Sequence, residues 1–236
     1  MEEVDPTALG TARVLAVGAH PDDAEYYAGG TLARFADAGA NVILLVCTGG
    51  GRGGRGLDDP VAVRASEQAN AARIIPFHAR ANLGRADGEL VNDDALHERL
   101  VHALRRVKPD IVFTHDPRAL FAPVRDRFRL QHSDHRAAGQ GLLDSVYPRA
   151  SSPNFYPEQL AEPGLEPWYP REVWLMDTAE PSVSVDVAKT FERKLDALRA
   201  HASQNLDDSL VRASRSLGPT EEFVRLVLRR GEWRAG

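Results

Sequence analysis

The stretch Val14-Leu-Ala-Val-Gly-Ala-His-Pro-Asp-Asp-Ala-Glu25 joins a short apolar run to a segment of helical pattern. The run is rich in Val and Leu and is typical of a buried strand. Apolar residues recur at helical spacing over residues 24–38, so a helix should follow at once. His20, Asp22 and Asp23 therefore lie where a strand turns into a helix. In open α/β sheets, that edge is where ligands bind.

An imidazole and two carboxylates at one turn offer the donor atoms of a metal site. Zn²⁺ accepts imidazole nitrogen and carboxylate oxygen, and its catalytic sites usually have three protein ligands and one open position. His20 and Asp23 are three residues apart across a tight turn, so both can face one point. Asp22 would point elsewhere, which suits a base beside the metal. For this cluster alone a structural interpretation is about as good, with Asp22 as a helix cap and Glu25 at capping-box spacing.

A second cluster of the same side-chain types lies far along the chain, at His132-Ser-Asp-His135. One of its imidazoles can complete a His-Asp-His set with His20 and Asp23, and the other can hydrogen-bond or protonate a reacting oxygen. Asp134 can hold an imidazole through its second nitrogen. Two histidines in a polar loop are often only solvated. Two polar clusters at the carboxyl ends of parallel strands instead favour a functional site.

Strand and helix patterns alternate along the first half of the chain. Short connections between them favour a mostly parallel sheet with right-handed crossovers. The predicted fold is therefore α/β, a Rossmann-like sheet flanked by helices, in a single domain over residues 1–236. Further strands are predicted at 41–48 and 110–115, and helices at 61–73 and 93–106. Residues 74–81 are predicted as a weaker strand or partly as a loop.

The second half of the chain is less regular. A helix is predicted from His132 to about Val146, and an irregular excursion rich in proline and aromatic residues follows at 147–170. Later elements are predicted as strands at 172–177 and 183–187 and as closing helices at 188–202 and 220–230.

Composition limits the classes of partner. The net charge is −5 and no basic stripe stands out, which argues against a nucleic-acid binder. The single cysteine, Cys47, lies in an apolar run, so an internal disulfide and a thiolate-rich zinc site are excluded. The acidic N-terminus lacks a signal-peptide pattern, and no apolar run approaches the roughly 18 residues that span a bilayer. These features predict a cytoplasmic protein with no membrane span.

The sequence resembles the PIG-L/LmbE-like deacetylases, zinc-dependent enzymes that remove acetyl groups from N-acetylated sugars and related amides. The two metal motifs are specific in combination, and the resemblance extends over most of the chain. One departure is Ser133, where the family commonly has proline. The matching segments are Ala19-His-Pro-Asp-Asp-Ala-Glu25, Thr48-Gly-Gly, Arg64-Ala-Ser-Glu67, Asn82 to Gly88, His132-Ser-Asp-His135 and Lys194 to Gln204.

Position by position, the resemblance implies His20, Asp23 and His135 as the metal ligands. It implies Asp22 as the general base that deprotonates a metal-bound water, whose pKa the metal can bring near 7. It implies that His132, as an imidazolium, stabilises the developing oxyanion. Zinc is the metal that the family implies, and sites of histidine and carboxylate also take Fe²⁺ or Co²⁺.

Other polar residues are weaker candidates for contact with substrate. Family analogy suggests that Arg64 and Asp87 contact sugar hydroxyls, although surface salt bridging explains them equally well. His115 ends a predicted strand on the functional edge and could line the pocket, or it could be ordinary strand-end polarity.

The glycine-rich loop 49–56 formally matches a dinucleotide fingerprint at Gly49-x-Gly-x-x-Gly54. It follows the second predicted strand, however, and no apolar helix begins directly after it. The better interpretation is a flexible loop over the active site that brings Arg52 and Arg55 towards the substrate.

These features together predict a metal-dependent hydrolase that removes the N-acetyl group of a small-molecule sugar or sugar conjugate. One alternative is a metal-dependent hydrolase of another amide or of an ester. Another is a non-catalytic metal-binding or carbohydrate-binding protein of the same fold, against which the intact Asp22 argues. The sequence does not identify the sugar. The excursion at 147–170 could be a lid, a pocket wall or a subunit contact, and it would suit a homo-oligomer interface.

Overall fold

The computed structural model describes residues 1–54, 56–124 and 127–228, without the side chains of residues 122–128. Within these ranges the chain forms ten strands and six α-helices. The strands are β1 (Glu2–Glu3), β2 (Arg13–Gly18), β3 (Asn41–Thr48), β4 (Ala79–Arg85), β5 (Ile111–His115), β6 (Phe121–Val124), β7 (Arg127–Leu130), β8 (Glu172–Met176), β9 (Val183–Asp186) and β10 (Thr220–Val227). The helices are α1 (Asp23–Asp37), α2 (Pro60–Ile74), α3 (Asp94–Val107), α4 (Ser133–Asp144), α5 (Phe191–Ala200) and α6 (Ser209–Leu217).

Eight strands form one sheet in the order β1-β9-β10-β8-β5-β2-β3-β4, and β6 pairs with β7 in a separate antiparallel hairpin. Strands β8, β5, β2, β3 and β4 run parallel, whereas β10 is antiparallel to both of its neighbours. The predicted α/β class with a mostly parallel sheet is confirmed. Because parallel strands share one carboxyl edge, the residues that follow β2, β5 and β8 come together there.

Helices cover both faces of this sheet. One face packs against α1, α2 and α5 around Phe35, Phe113 and Trp174, and the other packs against α3 and α4 around Leu100 and Leu142. Strands buried on both faces are nearly continuous apolar runs, which explains why β2 and β3 stand out in the sequence. Among the described residues, no helix is both long and apolar enough to cross a membrane.

The prediction of a closing helix at 220–230 is wrong, because residues 220–227 form strand β10 and residues 229–230 lie outside the described part of the chain. Val224, Leu226 and Leu228 fit a period of two as well as a helical stripe, so periodicity could not separate the two structures. The strand buries Glu221, which accepts hydrogen bonds from two backbone N–H groups of α1 and from Lys194. A buried carboxylate of this kind resembles a solvated charge in the sequence.

Two other segments differ from the sequence predictions. The weaker strand predicted at 74–81 is β4, which runs from Ala79 to Arg85. Helix α6 and the β6–β7 hairpin have no counterpart in the prediction. Both are short elements that depend on packing against neighbours, and a hydrophobic period is weak over so few residues.

The predicted excursion at 147–170 is organised around one buried cation, Arg105 of α3. Within 147–170, all of which is described, the structure has only the end of a π-helical turn (Ser145–Ala150) and a 3-10 turn (Pro157–Ala161). The Arg105 side chain is fully buried and donates a hydrogen bond to the Gln159 side-chain amide oxygen. Its other acceptors are the backbone carbonyls of Arg149, Ala150, Ser152, Phe155 and Tyr156.

Replacing Arg105 by Ala should therefore lower the free energy of unfolding by at least about 3 kcal/mol, since each buried acceptor left without a donor costs about 1–3 kcal/mol. Urea denaturation followed by circular dichroism measures this loss. Arg106→Ala is the matched control, because the neighbouring Arg106 pairs with Glu162 at the surface and should cost no more than about 1 kcal/mol. Equal effects of the two substitutions would contradict the structural role of Arg105.

Candidate metal centre

The turn between β2 and α1 holds Asp22 and Asp23 in different environments. Asp22 has a left-handed backbone with φ of 98°, and its side chain does not cap α1. The predicted capping box is therefore absent, and the buried Glu25 instead accepts from Gln68 on α2. The Asp22 carboxylate lies 3.3 Å from the Arg64 guanidinium. The two adjacent carboxylates can therefore perform different tasks.

The structure brings together the three residues predicted to be metal ligands. One donor atom from each of His20, Asp23 and His135 lies within 4.8 Å of the other two. The Asp23 Oδ1 atom is 3.2 Å from His135 Nε2, and the Asp23 Oδ2 atom is 3.7 Å from His20 Nδ1. Two imidazoles and one carboxylate are a donor set that Zn²⁺, Fe²⁺ or Co²⁺ can take. The residues present thus fit a divalent cation, although their role as ligands stays a prediction.

One carboxylate oxygen of Asp23 already accepts three hydrogen bonds from the protein. Asp23 Oδ2 accepts from the backbone N–H groups of Ala19 and His20, each at 2.8 Å, and from His115 Nε2 at 3.0 Å. Burial would raise the pKa of the Asp23 carboxyl, but His135 and His115 outweigh it and hold this pKa well below its usual range. Oδ1 is therefore the Asp23 oxygen that is available to a cation.

His115 does not line a pocket. Its side chain is fully buried beneath Asp23, and its ring stacks on that of His135 with 3.9 Å between centroids. Burial, with a smaller contribution from His135, lowers the pKa of His115 to about 4, so the ring is neutral. The predicted contact with substrate is wrong for His115, because no substrate reaches a side chain without exposed surface.

His20 is held by carboxylates on its other nitrogen. Its Nε2 atom lies 3.0 Å from Asp87 Oδ1 and 3.1 Å from Asp134 Oδ2. Asp134 is fully buried and also accepts from the backbone N–H groups of Gly88 and Leu90. The expectation that Asp134 contacts an imidazole agrees with this geometry, and the imidazole is that of His20. Asp87, expected to contact sugar, contacts His20 and the backbone N–H of Arg52 instead.

His132 occupies the N-cap of α4 and is exposed at the opening of the site. Its Nδ1 atom accepts a hydrogen bond from the backbone N–H of Asp134 at 3.1 Å, which leaves Nε2 as the protonated nitrogen. Partial burial, His20 and His135 lower the pKa of His132 below its ordinary value. The structure therefore favours a neutral His132 at pH 7, in contrast to the imidazolium that the resemblance implies. A neutral ring still donates through Nε2–H.

Arg64 is buried at the base of the site, so it is not a residue of a surface salt bridge. Its guanidinium donates to the carbonyls of Pro21 and Gly50 and faces Asp22. Gly50 has a φ of +67°, and a Cβ there would lie 2.2 Å from Arg64 Nη1. The glycine loop thus packs directly on Arg64, which requires a residue without a side chain. This position excludes Arg64 from the exposed surface on which a sugar would bind.

The charged residues of the glycine loop are placed differently. The Arg52 side chain is two-thirds exposed and pairs with Glu89 at the surface. Arg55, predicted to point towards the substrate, lies outside the described residues. Arg52 is therefore the arginine of this loop whose backbone contacts Asp87 and whose side chain is exposed.

Asp177, which follows β8 at the same sheet edge, is not among the site residues predicted from the sequence. Its Oδ2 atom is 3.3 Å from His135 Nδ1, and only 5% of its side chain is exposed. Burial lowers the pKa of His135, but Asp23 and Asp177 outweigh it and raise this pKa to about 10. The one signal for Asp177 was its place as a polar residue at the carboxyl end of a predicted strand.

A family model described as GlcNAc-PI de-N-acetylase (PIG-L) matches residues 15–146, which include both histidine and aspartate clusters. The chain belongs to this family. The resemblance in the sequence is thus confirmed over more than half of the chain, from β2 to the residues that follow α4.

Named deacetylases are similar to this protein over most of the chain. A diacetylchitobiose deacetylase of Thermococcus kodakarensis is 32% identical over 200 residues, which are 83% of this chain and 71% of that protein. A 1D-myo-inositol 2-acetamido-2-deoxy-alpha-D-glucopyranoside deacetylase 2 of Saccharopolyspora erythraea is 30% identical over 92% of each chain. Among solved structures, the N,N'-diacetylchitobiose deacetylase from Pyrococcus horikoshii matches with a TM-score of 0.81 and 28% identity, over 92% of this chain and 84% of that chain.

Proposed function

We propose that this protein hydrolyses the acetamide group of a small N-acetylated sugar or sugar conjugate, using a divalent cation held by His20, Asp23 and His135. The observation that carries the proposal is the convergence of these three side chains beside Asp22 and His132. The relatives described above are named as deacetylases of N-acetylated sugars. Zinc is the proposed cation because the donor set suits it.

The cation, when bound, supplies a Lewis acid that polarises the acetyl carbonyl and a water of lowered pKa. Asp22 is the proposed base. Burial, with the charge of Asp23, raises the pKa of Asp22 to about 7 despite the opposing Arg64. A carboxylate of this pKa accepts the proton of the attacking water and returns it to the amine nitrogen when the C–N bond breaks. Acetate and the free amino sugar are the products.

His132 is the proposed donor to the oxygen of the acetyl carbonyl. Its Nδ1 is occupied by a backbone N–H, so its Nε2–H is free to donate as negative charge develops on that oxygen. The ring lies edge-on to His20 with 4.7 Å between centroids, which places it beside the proposed ligand set. Its exposure lets the substrate reach it.

The dependence of kcat/KM on pH should show an ascending limb governed by Asp22. Since the base must be ionised, activity is expected to fall as pH drops through its pKa, by about tenfold per unit below it. That pKa is about 7 without metal, and a bound cation lowers it. Initial rates of acetate release at several substrate concentrations between pH 5 and 8 measure the limb. A flat profile over this range would contradict the role of Asp22.

The proposed activity is tested by release of acetate and of a primary amine from a panel of substrates. The panel contains N-acetylglucosamine, N,N'-diacetylchitobiose, a GlcNAc-inositol conjugate, a non-sugar acetamide and an aryl acetate ester. We expect equimolar acetate and amine from at least one sugar and little from the other two compounds. Preferred hydrolysis of the non-sugar amide or the ester would favour the alternative hydrolase. Bound metal with no hydrolysis of any compound would favour a binding protein.

Location and assembly stay predictions. We propose a cytoplasmic enzyme with a small-molecule substrate, for which nucleic acid is not a partner. The 147–170 segment, which exposes Tyr147 and Phe155, is the proposed site of any homo-oligomer contact.

A further inference from the structure

The buried carboxylate of Asp177 has no assigned task in the proposed reaction. It lies directly after β8, four strands away from the sheet edge at β4, and its carboxylate contacts the proposed ligand His135. The contact is between Asp177 Oδ2 and His135 Nδ1 at 3.3 Å. The opposite nitrogen of the same ring, Nε2, faces Asp23 Oδ1.

A carboxylate is only an acceptor, so its partner nitrogen must carry the hydrogen. Asp177 therefore places a proton on Nδ1 of His135 and leaves the lone pair of the neutral ring on Nε2. That lone pair is next to the one free oxygen of Asp23. An imidazole with the opposite tautomer would present a hydrogen to the cation instead of a lone pair.

The position of Asp177 is itself fixed by several contacts. Its backbone has a φ of 55°, a conformation that Asp and Asn tolerate better than most residues. Its carboxylate pairs with Arg129 of β7, and Gln131 donates to its carbonyl and its carboxylate at 3.3 Å each. The next residue, Thr178, donates to the buried Asp116 at 2.7 Å. A side chain held this firmly can in turn fix the ring that it contacts.

We propose that Asp177 is a positioning residue, which fixes the tautomer and orientation of His135 and thereby sets the affinity of the site for its divalent cation. The inference rests on the proposed metal site but not on the proposed substrate. With it, each proposed ligand has a partner on its other atom. Asp134 and Asp87 hold His20, His115 holds Asp23, and Asp177 holds His135.

The test compares the zinc affinity of the wild-type protein with that of Asp177→Ala and Asp177→Asn, by competition with a chromogenic chelator at pH 7.5. Loss of an outer hydrogen-bond partner typically costs about 10–100-fold in metal affinity, and we expect this loss in Asp177→Ala. Asp177→Asn keeps the shape, the backbone preference and one acceptor oxygen, so a smaller loss is expected. KM for the substrate should stay unchanged once zinc is saturating.

Arg129→Gln is the matched control, because it removes the cation paired with Asp177 Oδ1 and leaves His135 untouched. Arg129 is partly exposed, so zinc affinity should stay within about fivefold of wild type. Equal zinc affinity in wild type and Asp177→Ala would overturn the proposal, as would equal losses in Asp177→Ala and Arg129→Gln. Thermal denaturation of the metal-free variants separates these results from general destabilisation. Zinc affinity is measured without substrate, so a failure of the proposed deacetylation would be seen separately.

Discussion

Asp22→Asn is expected to lower kcat for acetate release by about 10²–10⁴-fold, the contribution typical of a positioned base, and to keep its metal. The Asp22 side chain faces Arg64 and not the donor atoms shared by Asp23 and His135. Asn has nearly the same shape and tolerates the left-handed backbone at this turn. The substitution therefore removes a proton acceptor and leaves the proposed ligand set intact.

Single-turnover kinetics and elemental analysis of the same Asp22→Asn sample measure this separation. The metal content should equal that of the wild-type protein, whereas the rate falls. Stoichiometric loss of metal in this variant would show that Asp22 is a ligand and would contradict the assignment. Arg64→Lys is a useful companion, since it keeps a cation beside Asp22 but cannot span the carbonyls of Pro21 and Gly50 as the guanidinium does.

His135→Ala should lose both the bound metal and turnover, whereas Asp22→Asn should lose turnover alone. Its Nε2 is one of three converging donor atoms, so the remaining His20 and Asp23 form an incomplete site. We expect the metal affinity to fall by more than about 100-fold, the upper end of the cost of losing only an outer partner. Dialysis against a metal buffer followed by elemental analysis measures the loss.

His132→Ala is the control for His135→Ala, because His132 is the N-cap of α4 and His135 lies in its first turn. His132→Ala should keep the metal and lose turnover through the missing Nε2–H donor. Full metal affinity in His135→Ala would remove His135 from the ligand set. Loss of metal in His132→Ala alone would instead point to the neighbouring group of His20, His132 and Asp134, whose donor atoms also converge.

The convergence of His20, Asp23 and His135 could be predicted because short-range sequence features place each cluster at a strand end. A Val- and Leu-rich run before His20 and a helical pattern after Asp23 fix the turn in the fold. The second cluster lies at the start of α4, which follows strand β5 of the parallel sheet and the separate antiparallel β6–β7 hairpin. Both clusters carry side chains that bind metals, and ligand sites form at the carboxyl edge of a parallel sheet, so the two clusters are expected to meet there.

The partners of these residues could not be predicted in the same way. His115, Asp87 and Asp177 are single polar residues without a local motif, and their contacts depend on which strands are neighbours. Asp22 could be taken for a helix cap, because only the structure shows that its side chain makes no capping hydrogen bond and faces Arg64. Likewise, β10 pairs with strands far from it in sequence, and a window of eight residues does not contain that information.

The most direct test of the central account is the dependence of acetate release on bound metal. The protein is stripped with chelator, dialysed, and reloaded with increasing zinc, while metal per chain and the rate on N,N'-diacetylchitobiose or another cleaved sugar are measured together. The account predicts that activity is lost on stripping and returns in proportion to zinc, up to one ion per chain, and that His135→Ala does not recover. Full activity in exhaustively stripped protein would contradict it.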